Sequence, residues 1–129
     1  FRLFIIFSVS GITGFIASVL MGTAYTLGAS GSIFGLLAAA IVYGRRHGNT
    51  MFTRQFLQWA ILLFIFGFIF SGVDNWAHAG GFIGGYVTAY VFGAQSSNRE
   101  GVGTYLLAGG FLLLTVCAFL FQFLAVITA

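Results

Sequence analysis

The chain has 129 residues, 60% of them hydrophobic and 5% charged, with a formal net charge of +3. A soluble domain carries about 25% charged residues, so water is not the main solvent here, and both disorder and a soluble enzyme are excluded. The positive charge comes from five scattered Arg with no Lys, which leaves no basic stripe to follow a phosphate backbone and excludes nucleic acid as a partner.

A mean hydropathy of +1.06 with 17 Phe, 19 Gly and no Pro fits lipid-embedded helices, in which Gly lets backbones approach closely. Each helical residue rises about 1.5 Å, so crossing a hydrocarbon core of about 30 Å takes about 20 apolar residues. Five stretches approach that length, roughly Leu3 to Met21, Ser32 to Gly44, Phe56 to Ser71, Ala79 to Gly93 and Tyr105 to the C-terminus. They predict an all-α, polytopic transmembrane bundle forming a single domain over 1–129, with no soluble domain and no internal repeat. The first stretch is too long for a signal peptide and lacks a cleavage pattern. The chain starts at Phe1 without Met and reads as a piece of a longer protein. A single Cys117 excludes an intrachain disulfide.

Short-loop Arg residues gather on the cytoplasmic side. With Phe1 inside, all five Arg fall inside: Arg2 before the first stretch, Arg45, Arg46 and Arg54 around the second connection, and Arg99 in the fourth. Asp74 falls outside, and Trp59 and Trp76 sit near opposite interfaces. His47, beside Arg45 and Arg46, reads as interfacial.

Two stretches are short. From Gly31 to Gly44 the second covers about 21 Å, which places Ser30 roughly 9 Å below the outer hydrocarbon edge. From Ala79 to Gly93 the fourth covers about 22 Å and leaves His78 at a similar depth. Non-helical backbone at that depth is tolerated only inside protein or beside a water-filled cavity, so the run from Gly22 to Gly28 is expected to border one. An ionisable residue in an apolar span marks a functional site by default, and His78 is such a residue. A Ser hydroxyl becomes a useful nucleophile when a neighbouring base takes its proton, and imidazole does this near neutral pH. Both residues are expected at the outer ends of inward-running helices, where free N–H groups and a positive dipole suit an oxyanion. A direct contact of about 2.6 to 3.2 Å, or somewhat looser without substrate, is expected between the Ser30 hydroxyl and the His78 ring.

The run Gly28-Ala29-Ser30-Gly31-Ser32-Ile33-Phe34-Gly35 resembles the Gly-x-Ser-Gly motif of the rhomboid family of intramembrane serine proteases with its Ile-Phe-Gly continuation. Asp74-Asn75-Trp76-Ala77-His78-Ala79-Gly80-Gly81, continuing to Gly85, resembles the family's catalytic His with two following Gly, and Ser10-Gly11 resembles the helix before the active-site loop. The resemblance implies a Ser30–His78 dyad that hydrolyses peptide bonds in or near transmembrane segments of membrane-protein substrates, with no metal or cofactor. It implies a preference for small side chains at the cleaved bond and lateral access through motion of the third helix here. It assigns backbone support of the oxyanion to Gly28 and Gly31, and packing near the site to Phe34, Gly81 and Gly85. Phe34 matches the position whose ring packs on the catalytic His. The stretches over roughly 1–93 match core helices three to six of six, and roughly 104–129 matches the extra C-terminal helix of the six-plus-one subclass. The two preceding core helices carry the family's His and Asn oxyanion donors, and no residue of this chain is assigned to them.

Other readings stand beside this one. The glycines alone would serve helix packing, and a pseudoprotease that binds transmembrane helices without cutting them shares the family shape. A transporter fragment would need substrate-coordinating carboxylates or an inverted repeat, and the sequence has neither. Asp74 is expected to be a solvated loop carboxylate rather than a third catalytic member. Ser32 is a rival nucleophile by proximity, and Tyr86 and Tyr90 read as packing residues. Substrate identity, membrane and oligomeric state are not written in the sequence.

Overall fold

A computed structural model describes residues 1–26, 28–94 and 100–128. Arg99 lies outside the described residues. Five helices follow in chain order: α1 (Arg2–Leu20), α2 (Ser30–Arg46), α3 (Thr50–Ile69), α4 (Asn75–Ala94) and α5 (Val102–Thr128). No strand occurs among the described residues. By length and apolarity α1, α3 and α5 are sufficient to cross a membrane. α2 and α4 are less apolar because their Gly, Ala and Ser positions face other helices rather than lipid.

Two compact units result, Ile6–Ser96 and the pair Phe1–Ile5 with Ser97–Ala129. In the smaller unit the Phe1 ring meets Tyr105 edge-on at 4.9 Å between centroids, and α5 exposes a long apolar surface.

In the larger unit the most extensive packing is between α2 and α4. Gly81 and Gly85 of α4 face the backbone of Gly31 and Gly35 on α2, so closely that a Cβ at either α4 position would collide with main-chain atoms. The two Gly-x-x-x-Gly ridges, each spaced four residues, let the helices meet backbone to backbone. α1 packs on another face of α4, where Gly14 lies against the Ala77 carbonyl and the Thr13 hydroxyl is 2.9 Å from the Gly80 carbonyl. Towards the Arg-bearing end, Ile6, Ala39, Val42 and Ala89 form the apolar core. α3 packs on α2 and buries little beyond Ala60 and Gly67.

The ends of these helices are set by local chemistry. α1 stops where Thr23 N–H bonds the Ser18 carbonyl and Gly22 N–H the Val19 carbonyl, each at 3.1 Å, with Gly22 at φ 76°. This is a Schellman closure, whose left-handed residue favours Gly. The same pattern of bonds closes α2 at Gly48, and the Asn49 side chain at once caps α3 through Phe52 N–H at 3.0 Å.

α4 differs from the expected short span. It has 20 residues and starts at Asn75, about 30 Å in all, because Asp74 caps it through the N–H groups of Trp76 and Ala77. His78 therefore lies one turn inside the helix, its own N–H bonded to the Asp74 carbonyl at 3.2 Å. Its backbone is no free oxyanion donor.

Candidate active site

Ser30 is the first residue of α2, reached from α1 through the loop of residues 21–29. Gly28 sits at φ 95° with nothing near a would-be Cβ; its role is the backbone turn that starts the helix, a conformation that Gly adopts without strain. Ala29, at the N-cap, supplies no side-chain hydrogen bond, so the first N–H groups of α2 remain available at the positive end of the helix. Gly31 is buried, and a Cβ there would press on the Ala77 carbonyl of α4 at 3.0 Å.

His78 is 5% exposed. Its ring stacks on Phe34, with centroids 4.2 Å apart and planes 17° from parallel. Phe34 is one turn after Ser30, so the residue that holds the imidazole plane stands on the helix that starts with the hydroxyl. Ser30 lies sixteen residues before Arg46 at the far end of α2, and His78 sixteen before Ala94 at the far end of α4. The Gly31–Gly81 and Gly35–Gly85 contacts hold the helices side by side, which sets Ser30 opposite Gly80 and leaves His78 two residues, about 3 Å, nearer the Asp74 end.

Both side chains line one cavity of about 320 Å³, together with Tyr25 and Thr26 of the loop, Gly67 of α3 and Asp74. No hydrogen bond joins the Ser30 hydroxyl to the His78 ring among the described residues, so the direct contact expected from the sequence is not formed. His78 is instead turned by its neighbours: Phe34 fixes its plane, and its Nδ1 is 3.1 Å from Asn75 Oδ1. The cavity, not a bond, connects base and hydroxyl.

Asp74 is not the solvated carboxylate expected. It is partly buried and accepts hydrogen bonds from Ser18, from Thr26 at 2.6 Å, from Trp76 N–H at 3.0 Å and from Ala77 N–H at 3.2 Å. Burial pushes its acidity towards the neutral form, but these four donors outweigh it and hold the carboxyl below the ordinary carboxylate range. The cluster ties the end of α1 and the loop before Ser30 to the start of α4.

Ser32 is 5% exposed and lies against Gly11 of α1, lining a separate cavity that does not include His78. Tyr86 and Tyr90 do more than pack: Arg45 Nη1 donates to the Tyr86 hydroxyl at 3.3 Å, and Arg46 donates to the Tyr90 carbonyl at 2.7 Å while lying over its ring. His47 folds back on Tyr43. Asn75 escaped the sequence reading, although its place three residues before His78 on one helix face signals that the two side chains can meet.

A family model described as Rhomboid domain matches residues 1–95, the region that contains α1 to α4. The chain is 36% identical over 124 residues to rhomboid protease GluP of Bacillus subtilis (strain 168), covering 93% of this chain and 24% of that protein. It is 34% identical over 97 residues to RHOMBOID-like protein 1 of Arabidopsis thaliana, covering 70% of this chain and 25% of the relative. It is 33% identical over 96 residues to inactive rhomboid protein 1 of Homo sapiens, covering 70% of this chain and 11% of the relative. The chain thus spans about a quarter or less of the length of these curated relatives. No solved structure matches it. With the helical bundle and the family model in agreement over most of its length, the chain belongs to the rhomboid family.

Proposed function

We propose that this chain carries the catalytic centre of an intramembrane serine endopeptidase, with Ser30 as nucleophile and His78 as general base, acting on peptide bonds in or near transmembrane segments of other membrane proteins. The observation that carries this reading is the one cavity that both residues line, with the imidazole plane held by Phe34. The name of the Bacillus subtilis relative, a rhomboid protease, supports the same reaction class.

Ser30 Oγ adds to the scissile carbonyl carbon while its proton passes to the His78 ring nitrogen that Asn75 does not engage. The C–N bond then breaks, the proton goes to the leaving amine, and an ester remains on Ser30. Water, deprotonated by the same ring, cleaves the ester and restores the hydroxyl. Backbone N–H groups at the start of α2, between Gly28 and Gly31, are oriented to bind the oxyanion. In this reading α1 to α4 are core helices three to six, α5 is the additional C-terminal helix of one domain over 1–129, and the protein crosses the membrane several times in contact with lipid.

The test is labelling of the full-length membrane protein by a serine-directed fluorophosphonate. Wild type takes the label, and Ser30→Ala and His78→Ala lose it, with peptide cleavage falling on the order of a thousandfold or more. Label retained by Ser30→Ala removes Ser30 from its role. A second reading, a helix-binding pseudoprotease, is favoured by the relatives named inactive rhomboid protein; it predicts an unlabelled wild type that still binds a transmembrane helix.

A further inference from the structure

Asn75 is the first residue of α4 and points its amide between two groups of fixed character. Its Nδ2 lies 3.3 Å from the carbonyl of Phe64 on α3, and its Oδ1 lies 3.1 Å from His78 Nδ1. A carbonyl can only accept, so the amide nitrogen must be the end that faces Phe64. The amide oxygen then faces the imidazole, and it too can only accept. His78 Nδ1 must therefore carry the proton, which leaves the Nε2 lone pair free to act as a base. The seat is built for this side chain: Gly67, one turn after Phe64 and buried, has no room for a Cβ because the Asn75 amide occupies the space.

From this geometry we propose that Asn75 is the positioning residue of the dyad, setting the tautomer of His78 and anchoring the ring to the backbone of α3. The proposal rests on the reading of Ser30 and His78 as nucleophile and base. Asn75 touches no reacting atom. It acts through His78, in the place that a third residue takes when it orients a catalytic base.

The groups facing His78 are few. Asp74 of the preceding loop and Tyr25 of the loop before α2 line its cavity and are titratable. α2 presents Ser30, Ile33 and Phe34, and α3 presents Leu63, Phe64 and Gly67, none of which ionises near neutral pH.

Two readouts on the full-length protein separate this proposal from the reading beneath it. The first is ¹⁵N NMR of histidine-labelled protein, with the His78 ring signals assigned by their loss in His78→Gln. The proton is expected on Nδ1 in the reference protein and redistributed towards Nε2 in Asn75→Ala; a reference ring protonated on Nε2 overturns the proposal whether or not the protein is a protease. The second is the pH profile of fluorophosphonate labelling. Asn75→Ala, and Gly67→Ala by displacing the amide, slow labelling about tenfold or more. Asn75→Asp keeps an acceptor beside Nδ1 but adds charge, so it labels with its acid limb moved to higher pH by about one unit or more. An Asn75→Asp profile that coincides with wild type, together with Asn75→Ala losses that track only a lowered melting temperature, overturns the proposal. Absent labelling with the Nδ1 proton in place overturns the protease reading and leaves the tautomer assignment standing.

Discussion

The Asp74 carboxylate gathers two hydroxyls and two backbone N–H groups from three parts of the chain, and its folded form is more acidic than an ordinary Asp. A carboxyl whose folded pKa is depressed stabilises the fold fully above its unfolded value, about pH 3.9, and that contribution disappears as pH falls through the lower folded value. Asp74→Asn keeps a capping oxygen but removes the charge, so it should lower stability near neutral pH by about 0.3–1 kcal/mol, the size of a carboxylate's interaction with a helix N-terminus. The difference from wild type should begin to shrink as the pH is taken below about 4 and vanish only below the lower folded value. Unfolding midpoints in detergent from pH 3 to 7 check this, and a gap that stays constant with pH would show that the charge is not its source. The two residues of the proposed dyad were legible in the sequence because Gly-x-Ser-Gly and the His with its trailing glycines are short, local patterns. Asp74 and Asn75 were not, since their partners Ser18, Thr26 and Phe64 lie 56, 48 and 11 residues away in sequence and only the folded chain brings them near.

At the scale of the helices, the contact between α2 and α4 decides whether a hydroxyl on one can work with an imidazole on the other. Gly81 and Gly85 meet main-chain atoms of Gly31 and Gly35, and backbone cannot yield as the end of a flexible side chain can. Gly81→Ala and Gly85→Ala should each cost about 1–3 kcal/mol through overpacking and should slow Ser30 labelling by moving the helices apart. Gly109→Ala on α5 meets nothing within 4 Å, and should be neutral or stabilising by about 0.5–1 kcal/mol, the gain of replacing Gly in a helix interior. Thermal unfolding and labelling of the three variants check the contrast; an α5 substitution as damaging as the α4 pair would deny the ridge its role. The five helices could be located from apolar length alone, with Gly81 and Gly85 already singled out for packing. The start of α4 was missed because Asp74 and Asn75 look like loop residues until the first is seen to cap the helix and the second to lie within it. The same misjudgement made the fourth span too short.

For the molecule as a whole, orientation follows from charge rather than from packing. Within the unit Ile6–Ser96, the turn between α2 and α3 is flanked by Arg45 and Arg46 at the end of α2 and Arg54 in the first turns of α3. The loop with Asp74 is one α3 length away, about 30 Å, which matches the hydrocarbon thickness. Short basic connections stay on the cytoplasmic side, so the Asp74 loop, and with it the cavity that Ser30 and His78 line, should face the opposite side. Cys117 is the sole cysteine of these 129 residues, and any other cysteine of the full-length protein is replaced by Ala along with it. In a Cys117→Ala background, Ser71→Cys should react with a membrane-impermeant maleimide on intact cells, and His47→Cys only after the membrane is opened; both sites are exposed. The reverse pattern would put the cavity on the cytoplasmic face and require substrates to present their cleaved bond there. On the proposed protease reading, the outcome fixes which end of a substrate's transmembrane segment would reach Ser30, because the residue lies at the start of α2 nearest the Asp74 loop and about 24 Å from the Arg-bearing end.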